Sequence, residues 1–443
     1  MAQDYPLPDG WKWTTIGEVC TFEYGKGLTE AKRDSRGTIP VFGSNGIVGY
    51  HSLSLVNKPC LIIGRKGAAG AVHKTQVPCW PIDTTYYVIP PDTISLSFLY
   101  YLFSSLVLNS LDRSTAIPGL NRNDAYALKI PLPPLSEQER IVAKIEELFT
   151  QLDAGTAALR RVQAELKRYK ASVLKAACKG RLVPQDPSDE PAEELLRRMG
   201  KTPLVGDGLP SLPEGWCWTR VGDIAENRLG KMLDKEKNIG ELRPYLRNLN
   251  VRWFEFDLTD IKFLRVMDKE IENISIQKGD LVVCEGGEPG RAAVWNRDEH
   301  IIIQKALHRV RPSKCILPTY LSYCLATDVN TGQLDKYFTG STIKHFTGES
   351  LRSYVIPLPS LAEQSRIVAE VEFRLSLVAE IDSTVKTMTA RSARLRQAIL
   401  KRAFEGRLVE QISEHEPELI TEQMINKPAD IINHQALQPD LFD

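Results

Sequence analysis

Residues 130–148 read IPLPPLSEQERIVAKIEEL, and residues 356–375 read IPLPSLAEQSRIVAEVEFRL. In both, a proline hinge runs into a segment with apolar residues at helical spacing. The repeat extends outward in both directions. Leu7–Cys20 (LPDGWKWTTIGEVC) returns as Leu212–Ala225 (LPEGWCWTRVGDIA), and LKAACKGRLV from Leu174 returns as LKRAFEGRLV from Leu400. Opening tryptophan motif, variable body, hinge, long helix and GRLV end therefore occur in the same order twice, which marks a tandem duplication of one large unit.

The opening motif repeats at an offset of 205 residues and the hinge at 226, so the added length of the second half falls inside its body. Stable ends around divergent middles imply a common frame that presents two different surfaces. The middles keep a skeleton: GRKGAAGAV from Gly64 answers EGGEPGRAAV from Glu285, SFLYYLF from Ser97 answers TYLSYCL from Thr319, and Ser114-Thr115 answers Ser341-Thr342.

Past the first hinge, Ser136 and Glu139 have the spacing of a capping box, which predicts a helix start. Apolar residues follow at Ile141, Ile145, Leu148, Leu152, Leu159, Val162, Leu166, Tyr169 and Val173, a heptad seam interrupted at Gly155. The second seam runs Ile367, Val371, Val378, Ile381, Val385, Met388, Leu395 and Ile399, with Arg374 and Ser392 as its gaps. The economical arrangement is an antiparallel coiled coil in which the seams cover each other under a pseudo-twofold, with a body at each end. The alternative is that each helix packs on its own body. The stretch from Ile141 to Ala176 would span about 50 Å, long for a body of this size. Phe149, Leu375 and Leu377, flanking the seams, are expected to be exposed and to form a partner-binding face.

The bodies, Tyr5–Leu128 and Leu212–Tyr354, read as α/β (α+β), with short β-rich runs at 59–64, 85–90, 280–284 and 300–304 between Gly and Pro turns. The expected division is a first domain at 1–135, a helical spacer at 136–183, an acidic Pro-rich linker at 184–209 with one short helix at 192–199, a second domain at 210–361, a second long helix at 362–409, and an acidic flexible tail at 410–443. The apolar stretch 96–111 contains four serines and an asparagine and reads as a core helix; it falls short of the ~20 residues of a membrane span. The N-terminus lacks a basic, apolar leader pattern, and eight cysteines at 20, 60, 79, 178, 217, 284, 315 and 324 show no CxxC or zinc spacing. A cytoplasmic protein with reduced thiols is expected.

Lysine plus arginine and aspartate plus glutamate both number 56, for zero formal charge. The tail holds eight acidic residues and one lysine, and the linker six acidic and three basic, so the remainder carries 52 basic against 42 acidic residues. That permits nucleic-acid binding without requiring it.

No GxxxxGK[ST], HExxH or GxSxG motif occurs; Leu195 stands where a phosphate loop ending at Gly200-Lys201-Thr202 needs glycine. Gly64–Gly70 has GxxGxxG spacing, unlike the dinucleotide GxGxxG, and Gly67 and Gly70 match Gly287 and Gly290, so a tight turn shared by both bodies is the better reading. The seven histidines share no constellation. A non-enzyme without metal or cofactor is expected. Trp11, Trp13, Trp216 and Trp218 recur in both halves and so read as core. Candidate DNA-binding residues are instead the divergent polar ones. In the first body these are Lys26, Lys32, Arg33, Ser44, Asn45, Arg65, Lys66, Arg113, Asn121, Arg122 and Asn123; in the second, Arg228, Lys231, Arg247, Asn248, Asn250, Arg252, Arg291, Lys336 and Lys344. Arg and Lys bridge guanine O6 and N7, Asn pairs with adenine N6 and N7, and the remainder grip phosphate.

With paired GW-x-W-T openings, duplicated PLP-x-L-x-EQ-x-RIVA segments and twin GRLV ends, the chain resembles the specificity subunit of type I restriction-modification systems up to about Val409. The resemblance implies two target-recognition domains, each reading one half of a split asymmetric DNA site, held apart by antiparallel helices that also dock two modification (methyltransferase) subunits. Those partners would supply S-adenosylmethionine chemistry; restriction subunits would add ATP- and Mg-dependent translocation and cleavage. Other readings are a specificity subunit of a type IIB-like system, which neighbouring genes distinguish; a coiled-coil scaffold, which random-duplex binding excludes; and a lone methyltransferase or nuclease, which S-adenosylmethionine binding would revive.

Overall fold

A computed structural model describes residues 5–34, 36–106, 108, 119–206, 208–234 and 238–411. By internal contacts the chain divides into two compact units, residues 1–157 with 389–443, and residues 158–388. Each long helix is thus shared between units.

In the first unit, strand Lys12–Thr15 pairs antiparallel with Lys129–Leu132, joining the opening motif to the proline hinge. Beyond them lies an antiparallel four-stranded sheet in the order Glu23–Tyr24, Thr85–Val88, Cys60–Gly64, Val72–Thr75. A three-stranded sheet has Ile39–Gly43 between Gly46–His51 and Trp80–Pro81. Helix Leu96–Ser105, capped by the Ser95 hydroxyl, buries Phe98, Leu99, Leu102 and Phe103. The predicted core helix thus ends at Ser105.

The second unit repeats this plan. Cys217–Arg220 pairs with Val355–Leu358, and a four-stranded sheet runs Ala225–Leu229, Leu307–Pro312, Leu281–Cys284, Ala292–Val294. The second sheet is longer: Lys262–Val266, Glu241–Leu246, Ile301–Ile303, Ser275–Ile276. The extra length is now located. Residues 247–261 replace the two-residue turn Ser44-Asn45, helix Asp268–Ile274 is added, and strand Ser275–Ile276 extends what in the first unit is the single antiparallel bridge Val56–Cys79.

The repeated EQ dipeptide has a packing reason. Trp11 Nε1 donates to Glu137 Oε2 at 2.9 Å, and Trp216 Nε1 to Glu363 Oε2 at 2.8 Å, between buried side chains. Gln138 Oε1 accepts from Ser95 N, while its amide donates to the Thr93 and Pro133 carbonyls. Gln364 does the same with Leu317 N and the Cys315 and Pro359 carbonyls. One dipeptide at each helix start therefore fastens tryptophan, hinge and core helix together, and these tryptophans are structural.

Helix Leu135–Ala177 starts one residue before Ser136, so the capping box expected at Ser136 and Glu139 is not how it begins. The Glu137 and Gln138 amides reach the Pro134 carbonyl at 3.0 Å. In helix Leu361–Phe404 the residue at that position is Ser360, whose hydroxyl accepts from Glu363 N at 2.9 Å.

The helices run antiparallel within each unit. In the first, Arg396 lies 4.2 Å from the Phe149 ring and pairs with Asp153, and Thr156 Oγ1 is 3.0 Å from Ser392 Oγ. In the second, Gln163 donates to Asp382. Ile141, Ile145, Phe149, Leu400, Ala403 and Phe404 join the first core; Val173, Leu174, Ala177, Ile367 and Val371 join the second. Away from these cores the seam opens: Val162, Tyr169, Ile381, Met388 and Leu395 are 41 to 50% exposed. Two helices alone cover only one narrow stripe of each other, so the seam is sealed where strands and short helices flank it. Phe149 is buried, against expectation, because the second long helix covers it; Leu377 is exposed and Leu375 half-buried.

Linker helix Ala192–Arg198 packs Ala192, Leu195 and Leu196 into the second core, and Asp189 binds Ser360 and Arg366. In the GRLV ends, Gly180 (φ +63°) lies against Pro213 and Trp216, and Gly406 (φ +68°) against Pro8 and Trp11. A side chain there would meet both strained backbone and a proline ring. All eight cysteines are buried free thiols, and among the described residues no helix is long and apolar enough to cross a membrane. Apart from Glu410 and Gln411, the acidic tail lies outside the described residues, as do Ser114 and Thr115.

Candidate nucleic-acid interface

Five segments of the first unit converge around Ser44. Its hydroxyl lies 2.5 Å from the Lys66 carbonyl and 2.9 Å from that of Thr84, and His73 Nε2 lies 3.2 Å from the Ser44 carbonyl. Arg65 donates through Nε and Nη2 to the Asp83 carbonyl at 3.0 and 2.6 Å, and its own carbonyl accepts from Leu120 N. Trp80 Nε1 donates to the Lys26 carbonyl at 2.8 Å. On this frame Tyr24, 53% exposed, has the Arg65 guanidinium 5.6 Å and the Arg122 guanidinium 5.2 Å from its ring centre. The result is an exposed aromatic face flanked by two cations.

The structure sorts the candidates. Lys26, Lys32, Asn45, Lys66 and Asn123 are exposed. Ser44 is spent on holding loops together. Asn121 accepts from the Asn123 and Asp124 amides and so caps helix Arg122–Tyr126, and Arg33 donates to the Val48 carbonyl at 2.8 Å. Arg113 lies outside the described residues. Tyr24, exposed between the two guanidiniums, was not among the candidates.

In the second unit the inserted loop carries Arg247, Asn248, Asn250 and Arg252. Asn250, 3% exposed, accepts from Arg247 N at 2.9 Å and donates to the Asp257 and Asp260 carbonyls, so it braces the loop from within. Arg291, 6% exposed, donates to the Asn248 carbonyl at 2.8 Å. The other cations mostly meet carboxylates: Arg228 with Glu226 at 2.6 Å, Lys231 with Glu270 at 2.5 Å, Arg247 with Asp260 at 2.7 Å, Arg252 with Asp257 at 3.5 Å and Lys344 with Asp335 at 3.1 Å. Lys336 sits 5.3 Å from the Tyr337 ring centre. Hydrogen bonds from Arg228, Lys231 and Lys262 lead in holding Glu226, Glu270 and Asp260 below the usual carboxylate range; at Asp257 the Thr259 hydroxyl leads. These carboxylate partners were also missed: all but Glu270 lie within thirteen residues of their cations, but nothing in the spacing tells which charged neighbours the loops bring face to face.

The glycine loops are turns. Gly67 and Gly70 have φ +82° and +79°, Gly287 and Gly290 +82° and +87°. Gly70 N donates to the Gly64 carbonyl and Gly290 N to that of Cys284, so these amides are turned onto their own loops. Among the described residues, no group of three or more His, Cys, Asp or Glu side chains is placed to hold a metal ion.

A duplicated α/β frame on paired long helices, with two unlike polar surfaces, defines a protein that reads two ligand segments with one chain. The model of the type I restriction modification DNA specificity domain matches twice, at residues 8–167 and 213–372, and the chain belongs to that family. The chain is similar to the EcoKI specificity subunit of Escherichia coli K12 (25% identical, spanning 94% of this chain and 93% of the relative). It also resembles the Escherichia coli EcoBI specificity subunit (26%, 75% and 70%). Among solved structures, a chain from work on the assembly and conformational transition of the type I R-M system superposes with a TM-score of 0.68 (20% identity, 91% of this chain and 100% of that one). HsdS from Thermoanaerobacter tengcongensis superposes at 0.54 (22%, 91% and 98%). These two show the same fold.

Proposed function

We propose that the chain is the DNA-recognition specificity subunit of a type I restriction-modification complex and reads a bipartite, asymmetric site, one half-site per unit. The observation that carries this reading is a shared frame, down to the Trp–Glu and Gln anchors, supporting two differently built surfaces: a guanidinium–tyrosine cluster in one, an ion-paired insertion in the other. Unlike surfaces imply a non-palindromic target. The chain itself is non-catalytic and cytoplasmic; modification subunits supply S-adenosylmethionine-dependent adenine methylation, and restriction subunits the ATP- and Mg-dependent steps. Exposed Leu377, Ile381 and Met388 on the second long helix support the docking of modification subunits there.

Mapping methylated adenines in DNA from cells carrying the chain and its partners tests this. The expected result is a divided word with unlike halves and a fixed unspecified gap. An uninterrupted word, or methylation indifferent to base order, overturns it.

A further inference from the structure

The two surfaces carry charge in different ways. Residues 5–128 hold 11 basic and 9 acidic side chains, residues 212–354 hold 21 and 20. Charge density nearly doubles while net charge hardly moves, so most added cations have an added carboxylate to meet. In the first unit, Arg65 and Arg122 donate to main-chain carbonyls and flank Tyr24, with no carboxylate at ion-pair distance among the described residues. In the second, Arg252 and Lys344 on exposed loops each face an aspartate.

These settings answer a phosphate differently. A guanidinium held only by neutral carbonyls keeps its full field outward, and on binding phosphate it displaces the cations condensed on the DNA. A cation already beside a carboxylate brings that negative charge with it, so it displaces fewer of those cations unless the pair is loosened first. The freed carboxylate, or the pair as a rigid unit, is suited instead to base edges, where an aspartate accepts from cytosine N4.

We propose, resting on the function above, that the units divide the work of binding. Each still reads its own half-site, but the first supplies most of the salt-sensitive grip on the DNA backbone through Arg65 and Arg122 beside Tyr24, and the second reads its half-site with little ionic dependence.

The test is the salt dependence of DNA affinity, measured on the chain assembled with its modification subunits, using two duplexes: one carrying the mapped methylation site and one of random sequence. R65Q/R122Q should flatten the slope of log affinity against log salt by about 2, close to 0.9 per lost phosphate contact. It should also weaken both duplexes in parallel. R65K/R122K, which keeps the charge, should restore most of the slope. R252Q/K344Q should change the slope by less than about 0.5 and lower preference for the specific duplex. Equal slope changes for both Gln pairs, or a larger one for R252Q/K344Q, overturn the division. If the unaltered assembly does not distinguish the two duplexes, the functional reading itself fails; if it does and the slopes are equal, only the division fails. Unchanged circular dichroism separates either result from misfolding.

Discussion

At the scale of single residues, the tryptophans and the EQ dipeptide do the joining. Replacing Trp11 or Trp216 with Phe keeps the ring but strands a buried glutamate, which should cost about 1–3 kcal/mol. Denaturant unfolding should show this, with DNA preference retained in the folded fraction. His308, 1% exposed, has Nε2 2.9 Å from the Phe346 carbonyl, and burial drives its pKa below the usual 6.5. The folded state therefore binds this proton less readily than the unfolded chain. Stability that is full above pH 6.5 should decline as pH falls toward the depressed folded value, and H308Q should remove that part of the decline in melts between pH 7.5 and 5.5. At this scale the sequence is only partly legible. Of the four matched tryptophans read as core, Trp11 and Trp216 are buried while Trp13 and Trp218 are half-buried outside the cores; Ser44, Asn121 and Asn250 looked like reading residues and hold their own loops. A polar side chain in a turn has the same appearance whether its partner is a base or a backbone group brought near by folding.

At the scale of elements, the long helices were plain because heptad spacing is local information. Their starts were less so: Pro134 offers a carbonyl where the second copy offers the Ser360 hydroxyl, and residue identity favoured Ser136 instead. Phe149 looked free because its cover arrives from residues near position 400. The linker shows the same effect, since its acidic, proline-rich composition suggests a loose tether while Leu196 is fully buried. L196A should destabilise the second unit by about 2–5 kcal/mol. A protease-resistance assay should show cleavage spreading from the linker into residues 212–354, and unchanged resistance would mean the helix is dispensable.

At the scale of the whole molecule, duplication was legible from end to end, and the inserted length was correctly assigned to the second body. Which surface reads which bases was not legible, because it depends on loops whose shape comes from long-range bonds such as Arg247 to Asp260. Two helices shared between units act, in the proposed function, as a ruler. Fourteen residues added to both should lengthen them by about 21 Å, or about six base pairs at ~3.4 Å each. Methylation mapping should then return the same two half-sites with a wider gap; an unchanged gap would refute the ruler.

The Tyr5 hydroxyl donates to the Phe404 carbonyl at 2.6 Å, and Gly406 lies against Pro8. This closure bears on how the protein is made. Residues 158–388 are continuous and can complete their unit once they leave the ribosome, whereas the unit begun first waits for residues 389–411. Through most of synthesis, Ile145 and Phe149 lack the covering supplied by Leu400, Ala403 and Phe404. The earliest part of the nascent chain is therefore the last to mature, and its exposed groove is where a chaperone would have most to protect.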